Sequence, residues 1–192
     1  MTRADWTDDP SHVVLLDSAN TPIGTAPKEE VHHQGTPRHR AFSCYLFDRT
    51  APDRLLLTRR AMSKRSWPGV WTNSCCGHPT LGETTTEAAR RRVHDELGID
   101  AAELRIVLDD FSYSATDPSG IVENEFCPVV VGLVDSTPRP HPSEAMDWTW
   151  ISWSTVRDTA ACAPQLISPW AALQIPLLGA RSPVLARPGE QV

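Results

Sequence analysis

The sequence lacks the features of exported, membrane-spanning and nucleic-acid-binding proteins. No apolar run approaches the ~20 residues that a membrane helix needs, and acidic residues stand near the start, where a secretory signal would be apolar. The formal net charge of -6 gives no overall attraction for nucleic acid or anionic lipid. Five cysteines, an odd number without an export signal, predict reduced thiols rather than a disulfide framework. We therefore expect a cytoplasmic protein without nucleic-acid or membrane partners.

The composition is that of a single globular domain. The chain has 192 residues, of which 40% are hydrophobic and 22% charged, and no internal repeat or linker divides it. Seventeen prolines indicate many turns, and seven tryptophans indicate a heavy core or an aromatic-walled pocket. We expect a flexible N-terminus at 1–10, a folded domain at 11–180, a flexible tail at 181–192, and a monomer.

The order of predicted elements indicates an α/β protein rather than a regular βαβ alternation. A helix should begin after Thr84 or Thr85 and stop at Gly98, because the first two can cap a helix and the last suits its end. Ser154 is expected to cap a short helix, and Ser168-Pro169 to start the last one. Strands are predicted at 12–16, 41–47, 55–58, 104–108, 110–114, 125–134 and 148–153. This predicts a mixed α/β sandwich of β-sheets flanked by helices.

The segment 77–99 resembles the Nudix box. Five residues separate Gly77 from Glu83, seven more follow, and 91–99 then reads RRVHDELGI against the family pattern Arg-Glu, apolar, any, Glu-Glu, any, Gly, apolar. Such a box arranges carboxylates that hold Mg²⁺ against a diphosphate. Arg92 stands where the pattern has Glu, and a guanidinium binds phosphate oxygen rather than metal. We expect diphosphate recognition without the hydrolytic metal cluster, the alternative being an amphipathic surface helix of mixed charge.

Three histidines and two glutamates form a candidate metal site. A lone histidine is usually a satisfied or solvent-facing side chain, so the case depends on the whole set. Glu123 and Glu125 lie on one face of an extended strand, where two like charges are best explained by a cation between them. Three imidazoles and two carboxylates suit a divalent metal such as Zn²⁺ or Mn²⁺. The candidate ligands are His32, His39, His78, Glu123 and Glu125.

Two longer stretches resemble bacterial type 1 isopentenyl-diphosphate isomerases, which have the Nudix fold. They are 59–79 (RRAMSKRSWPGVWTNSCCGHP) and 115–125 (ATDPSGIVENE), and the likeness extends over about 12–174. The resemblance implies an isomerase of isoprenoid biosynthesis that interconverts isopentenyl and dimethylallyl diphosphate. The double bond would be protonated and deprotonated through a carbocation-like intermediate.

The resemblance also implies a role for individual positions. The implied catalytic residues are Cys76, Glu125 and Tyr113. The histidine site would hold Mn²⁺, Zn²⁺ or Mg²⁺, and a second ion, Mg²⁺, would be bound by Glu96, the Cys76 carbonyl and the substrate diphosphate. The diphosphate would be bound by Lys28, Arg60, Lys64 and Arg92. The pocket would have the aromatic walls Trp170 and Trp67.

Several alternatives stay open in the sequence. His33 directly follows His32 and could be the ligand in its place. Cys75 precedes Cys76 and faces the other way in an extended backbone; it is expected in the core, as are Cys44, Cys127 and Cys162. Arg65, Arg90 and Arg91 are expected on solvated faces. A nucleoside-diphosphate hydrolase and a binding module with a structural metal are the competing functions.

Overall fold

The structure, a computed structural model, describes residues 6–101, 103–180 and 182–185. The strands are β1 (His12–Leu16), β2 (Pro22–Pro27), β3 (His39–Arg40), β4 (Phe42–Asp48), β5 (Arg54–Arg60), β6 (Trp71–Thr72), β7 (Cys75–Gly77), β8 (Glu103–Leu108), β9 (Ser112–Thr116), β10 (Val122–Phe126), β11 (Val129–Val134) and β12 (Ala145–Ser152). The helices are α1 (Lys28–Val31), α2 (Thr85–Leu97), α3 (Trp153–Cys162) and α4 (Pro169–Leu177). Two short 3-10 helices lie at Pro164–Leu166, between α3 and α4, and at Pro183–Leu185, after α4.

The strands form two sheets. The first has the order β2-β1-β3-β10-β9, and the second has the order β12-β5-β4-β11-β8, with β6 paired to β5 and β7 paired to β4. The predicted mixed α/β arrangement of sheets and flanking helices is confirmed.

Two chain segments pass from the first sheet to the second side by side. β3 continues into β4 after Ala41, and β10 continues into β11 after Cys127 and Pro128. The segments run parallel in both sheets, with Glu125 opposite His39 and Val129 opposite Ser43. The single strand predicted at 125–134 is therefore wrong. Pro128 has no N–H to donate, and the chain changes sheets there.

The second sheet separates two hydrophobic clusters, because side chains alternate along its strands. On β4, Phe42, Cys44 and Leu46 belong to the cluster under α2, whereas Tyr45 and Phe47 belong to the cluster under α3 and α4. All five side chains are fully buried. The sheet is therefore covered by helices on both faces.

The predicted boundaries of α2 and the predicted start of α4 are confirmed. The Thr84 side chain accepts from the Glu87 N–H and the Glu87 side chain accepts from the Thr84 N–H, while Gly98 ends α2 in the left-handed region at φ 63°. Ser168 caps α4. The cap predicted at Ser154 is wrong: Ser152 accepts from the Thr155 N–H, so α3 begins two residues earlier than expected.

The elements β3, β6, β7 and α1 were not predicted from the sequence, since each has too few residues for a periodic pattern. β2 was missed because its six residues, PIGTAP, include two prolines and a glycine, which are uncommon in strands. The strand predicted from 110 begins at Ser112. Among the described residues, no helix combines the length and apolarity needed to cross a membrane. The predicted flexible ends lie largely outside the described residues, although Thr7 donates its N–H to Thr25 Oγ1 at 3.3 Å.

Candidate active site

A cavity of about 520 Å³ receives side chains from both sheets and from α1, α2 and α4. Its walls fall into a histidine end, with imidazoles and carboxylates, and a cation end, with lysines and arginines. The residues proposed from the sequence that line it are Lys28, His32, Arg60, Lys64, Cys76, His78, Arg92, Glu96, Tyr113, Glu123, Glu125 and Trp170.

The histidine end is organised around the Glu125 carboxylate. His39 on β3 is the parallel partner of Glu125 and Tyr113 on β9 is its antiparallel partner, so register alone places these three side chains together. Four residues, His32, His39, His78 and Glu125, offer one ligand atom each within 4.8 Å of one another. Neighbouring imidazole centroids lie 5.1 to 5.6 Å apart.

The distances between these side chains fit ligand atoms better than hydrogen bonds. Glu125 Oε1 lies 3.3 Å from His78 Nε2 and 3.5 Å from His39 Nε2, and Glu123 Oε2 lies 3.4 Å from His32 Nε2. Hydrogen bonds of this type are commonly ~2.9 Å long. Metal–ligand bonds of ~2.1 Å place neighbouring ligand atoms about 3.0–3.4 Å apart in octahedral or tetrahedral geometry. The spacing therefore suits a divalent ion.

The imidazoles are oriented as metal ligands are. His39 Nδ1 donates to the Pro37 carbonyl at 2.9 Å, and its buried Nε2 has no hydrogen-bond partner. A hydrogen bond at Nδ1 leaves the Nε2 lone pair free for an ion. Burial lowers the pKa of His78 to about 3, so this ring stays neutral and keeps a lone pair.

The carboxylate of Glu125 is kept ionised. Burial opposes its charge, but the neighbouring imidazoles of His39 and His78 outweigh burial and hold the pKa of Glu125 well below 4.5. Its second oxygen accepts from Tyr113 Oη at 2.9 Å. Glu123 accepts a hydrogen bond from Ser66 and lies on the same buried face of β10. These residues and the His39 lone pair fit a divalent metal.

Cys76 comes to the cavity from the second sheet, whereas Glu125 and Tyr113 come from the first. Its thiol donates to Asn73 Oδ1 at 3.2 Å and lies 3.7 Å from Ser43 Oγ. Burial raises the pKa of Cys76 to about 12, so the sulfur holds its proton.

The structure distinguishes the adjacent candidates. His32 is 8% exposed and faces the other imidazoles, whereas His33 is exposed and its Nδ1 accepts from the Gly35 N–H. Cys75 packs in the cluster under α2 and Cys76 packs against the other cluster, as alternation along a strand requires. The prediction that Cys162 is a core residue is wrong: it ends α3 and is exposed.

At the cation end, Lys28, Lys64 and Arg92 meet two carboxylates. Arg92 pairs with Glu96 one turn along α2, and Glu144, before β12, pairs with Lys64 and lies 3.4 Å from Arg92. Burial and the neighbouring charges of Arg92 and Lys64 lower the pKa of Lys28. Like charges held this close repel one another, so an anion bound among them would be stabilised.

Gly77 of the Nudix-like segment has a steric role here. A Cβ at position 77 would lie 2.9 Å from Arg92 Cγ and 3.1 Å from Phe42 Cε1. Any larger residue would displace Arg92 or the core beside it. Nearby, Arg91 is not simply a solvated residue as expected: its guanidinium donates twice to the Glu83 carboxylate, at 2.7 and 2.9 Å.

The aromatic wall of the cavity is Trp170. Its indole is 3% exposed, and the Arg60 guanidinium lies 5.5 Å from its ring centroid. Trp67 does not line the cavity; it packs edge-on against Trp170 at 6.4 Å. Its backbone has φ 51°, an uncommon conformation for a bulky residue, and its N–H donates to Asp117 at 3.2 Å.

Sequence reasoning missed Asn73, Ser43, Gln174, Ser66 and Glu144. Asn73, Ser43 and Gln174 are fully buried polar residues. The sequence offered only the Thr-Asn-Ser run before the cysteines as a signal, and it did not indicate that these side chains lie behind Cys76.

The comparisons with known proteins agree with this geometry. A family model described as NUDIX domain matches residues 37–171. A Cutibacterium acnes protein named isopentenyl-diphosphate Delta-isomerase is 51% identical over 181 residues, covering 90% of this chain and 89% of the relative. The protein of that name from Mycolicibacterium vanbaalenii is 52% identical over 174 residues, covering 91% of this chain and 94% of the relative.

Solved structures show the same fold. The structure of DR0079 from Deinococcus radiodurans has a TM-score of 0.66 at 20% identity, covering 86% of this chain and 97% of that one. The MutT protein from Methanosarcina mazei has a TM-score of 0.59 at 16% identity, covering 73% of this chain and 91% of that one. At these identities the likeness concerns the fold alone, and it confirms the predicted Nudix-like arrangement.

Proposed function

The chain belongs to the isopentenyl-diphosphate Delta-isomerase family of Nudix-fold proteins, and we propose that it interconverts isopentenyl diphosphate and dimethylallyl diphosphate. One observation supports this most: Cys76 from one sheet and the Glu125–Tyr113 pair from the other line a single cavity that also has a cation end. The isomerisation needs one group to add a proton and another to remove a different one.

The substrate gains one proton and loses another, so its composition is unchanged, and the two enzyme groups would recover their starting protonation by exchange with water. A proton adds to the terminal carbon of the double bond, which leaves a tertiary cation at the branched carbon. Loss of a proton from the carbon on the other side of that centre forms the new double bond. We assign Cys76 to one transfer and Glu125, assisted by Tyr113, to the other; the roles exchange in the reverse direction. Trp170 would stabilise the cation by up to ~2 kcal/mol.

The histidine end would hold a divalent metal, Mn²⁺, Zn²⁺ or Mg²⁺, through His32, His39, His78, Glu123 and Glu125. When bound, the ion would supply positive charge that tunes the acidity of the Glu125 carboxyl. The fit rests on the converging imidazole nitrogens and the unpartnered His39 Nε2.

The cation end would bind the diphosphate. Lys28, Lys64 and Arg92 are gathered there. Arg60 lies over the Trp170 ring and would contact the substrate between its diphosphate and its hydrocarbon. Glu96 and the Cys76 carbonyl are proposed to hold Mg²⁺ with the substrate diphosphate. Fixing the diphosphate would leave the five-carbon chain in the drier part of the cavity. We further propose a cytoplasmic monomer that acts on isoprenoid diphosphates and has no nucleic-acid or membrane partner.

Proton NMR tests the proposal. Isopentenyl diphosphate is incubated with the protein and Mg²⁺ in D₂O, and the methyl signals are followed. We expect the second methyl signal of dimethylallyl diphosphate to appear and deuterium to enter the product. In parallel, a nucleoside diphosphate derivative is incubated with Mg²⁺ and released phosphate is measured. Phosphate release without methyl formation would mean that the chain is a hydrolase and that the isomerase assignment is wrong.

A further inference from the structure

Asn73 lies between β6 and β7, and its side chain is fully buried. Its Oδ1 accepts three hydrogen bonds: from Thr72 Oγ1 at 2.8 Å, Trp170 Nε1 at 2.8 Å and Cys76 Sγ at 3.2 Å. Two of these donors are residues to which we assign proton transfer and stabilisation of the cation. A single oxygen atom therefore contacts two functional parts of the cavity.

The orientation of the Asn73 amide follows from its partners. Nδ2 donates to the carbonyl oxygens of Cys44 at 3.0 Å and Cys75 at 2.7 Å. The flipped amide would place Oδ1 against these two oxygens and would turn Nδ2 towards the donors Trp170 Nε1 and Cys76 Sγ. Every polar atom of the side chain is used in the observed orientation only.

These contacts fix the Cys76 thiol and the Trp170 ring with respect to each other. A carboxamide oxygen only accepts, so the thiol donates to Asn73, and this contact fixes the position of the sulfur. The Trp170 N–H is tied to the same atom, which fixes the plane of the indole ring. Ser43 Oγ, which accepts from Gln174 Nε2 at 3.0 Å, lies 3.7 Å from the same sulfur.

We propose that Asn73 is a positioning residue of the isomerisation: its Oδ1 holds the Cys76 sulfur and the Trp170 ring so that both meet the same carbon skeleton. The inference rests on the proposed function. Proton transfer to or from carbon requires close alignment, and cation–π stabilisation depends on the distance to the ring face. A thiol and an indole that moved independently would not satisfy both conditions at once.

A double-mutant cycle tests the proposal, with Asn73→Ala, Trp170→Phe and the double variant. We expect Asn73→Ala to lower kcat about 10- to 100-fold, as small misplacements in active sites do. KM should be unchanged, because the cation end is untouched. Trp170→Phe keeps an aromatic face but cannot donate to Asn73, so it also lowers kcat. The double variant should be little slower than Asn73→Ala alone, since both changes remove the same contact.

The indole N–H resonance of Trp170, assigned by its loss in Trp170→Phe, gives a reading that does not depend on turnover. In Asn73→Ala it should shift and exchange faster with solvent. Val156→Ala in α3 is the matched control, because Val156 is buried in the core and does not line the cavity. It should lower the melting temperature and leave the resonance and kcat unchanged.

A purely structural Asn73 would give a different pattern. Asn73→Ala would then lower the melting temperature but keep its kcat below the unfolding transition, and the effects of the two substitutions on kcat would multiply. Either result would overturn the proposal. If Asn73→Ala does not fold, Asn73→Ser is measured against the same outcomes. Absence of isomerase turnover in the unsubstituted protein would refute the proposed function instead, while the resonance would still report the contact.

Discussion

The two ends of the cavity are built in different ways. At the histidine end, His39, Glu125 and Tyr113 lie on three adjacent strands as direct cross-strand partners. The cation end is assembled from separate parts of the chain: Lys28 begins α1 and Arg92 lies on α2, and the other cations and Glu144 come from segments around β5 and β12. Register fixes the first end, whereas charge balance among flexible side chains shapes the second. Substitutions at the first should therefore affect kcat, and substitutions at the second should affect KM.

The largest effect is expected for Glu125→Gln. The amide keeps the shape but loses the charge that faces His39, His78 and Tyr113. We expect kcat to fall by about 10³-fold or more, because the substitution impairs both proton transfer by the carboxylate and the metal site. Kinetics together with elemental analysis of bound metal will check this. Ser114→Ala, an exposed neighbour on β9, is the control and should behave like the unsubstituted protein.

Cys76→Ala should test proton transfer by the thiol separately from proton transfer by the Glu125–Tyr113 pair. Its sulfur does not belong to the histidine group, so bound metal and KM should be retained while kcat falls by about 10²- to 10⁴-fold. The measurements are turnover, metal content and isothermal titration with the diphosphate substrate. Full activity in this variant would contradict the role assigned to the thiol.

Lys28→Ala should act on binding. One charge-assisted contact is worth about 1.5–3 kcal/mol, so KM should rise about 10- to 100-fold. The change in kcat should be smaller than the change in KM. Arg90→Ala is the control: it removes an exposed cation of α2 that does not line the cavity, and it should leave KM unchanged. A loss confined to kcat in Lys28→Ala would remove the contrast between the two ends.

The smallest effect is expected outside the cavity, at Glu83. Burial would raise its pKa, but hydrogen bonds from Arg91 and the Thr80 N–H outweigh burial and lower the pKa of Glu83 below 4.5. A carboxyl with a lowered folded-state pKa stabilises the protein above the unfolded value and loses that contribution as pH falls through the folded value.

We therefore expect Glu83→Gln to lower the free energy of unfolding by about 1 kcal/mol at neutral pH. The difference from the unsubstituted protein should shrink as acidification passes below pH 4.5, the ordinary pKa of Glu. Chemical denaturation at a series of pH values measures it. Asp158→Asn, which changes an exposed carboxylate on α3, is the control for net charge. A difference that stays constant with pH would rule out the ion pair as its origin.

Local sequence rules anticipated a large part of the fold. The capping residues of α2 and α4 and the shared face of Glu123 and Glu125 follow from spacing along one element. The composition of the histidine site was anticipated as well, since four of its five candidate ligands converge.

What could not be predicted depends on contacts between distant segments. Nothing local shows that Glu125 lies opposite His39, because parallel pairing is a long-range property. The break at Pro128 was hidden in an apolar run that reads as one strand. Asn73 was missed because a buried amide has no sequence signature; its partners are 97 and 3 residues away.

The side-by-side passage of two strands between the sheets sets a rule for redesigning the molecule. Because β3–β4 and β10–β11 are each nearly continuous, one inserted residue near Ala41 or Pro128 would turn the side chains of the following strand to its opposite face. His39 or Glu125 would then keep its position in its own strand, but it would no longer be aligned with Cys76. Engineering for larger allylic substrates should therefore change side chains around the cavity and leave the lengths of these crossings intact.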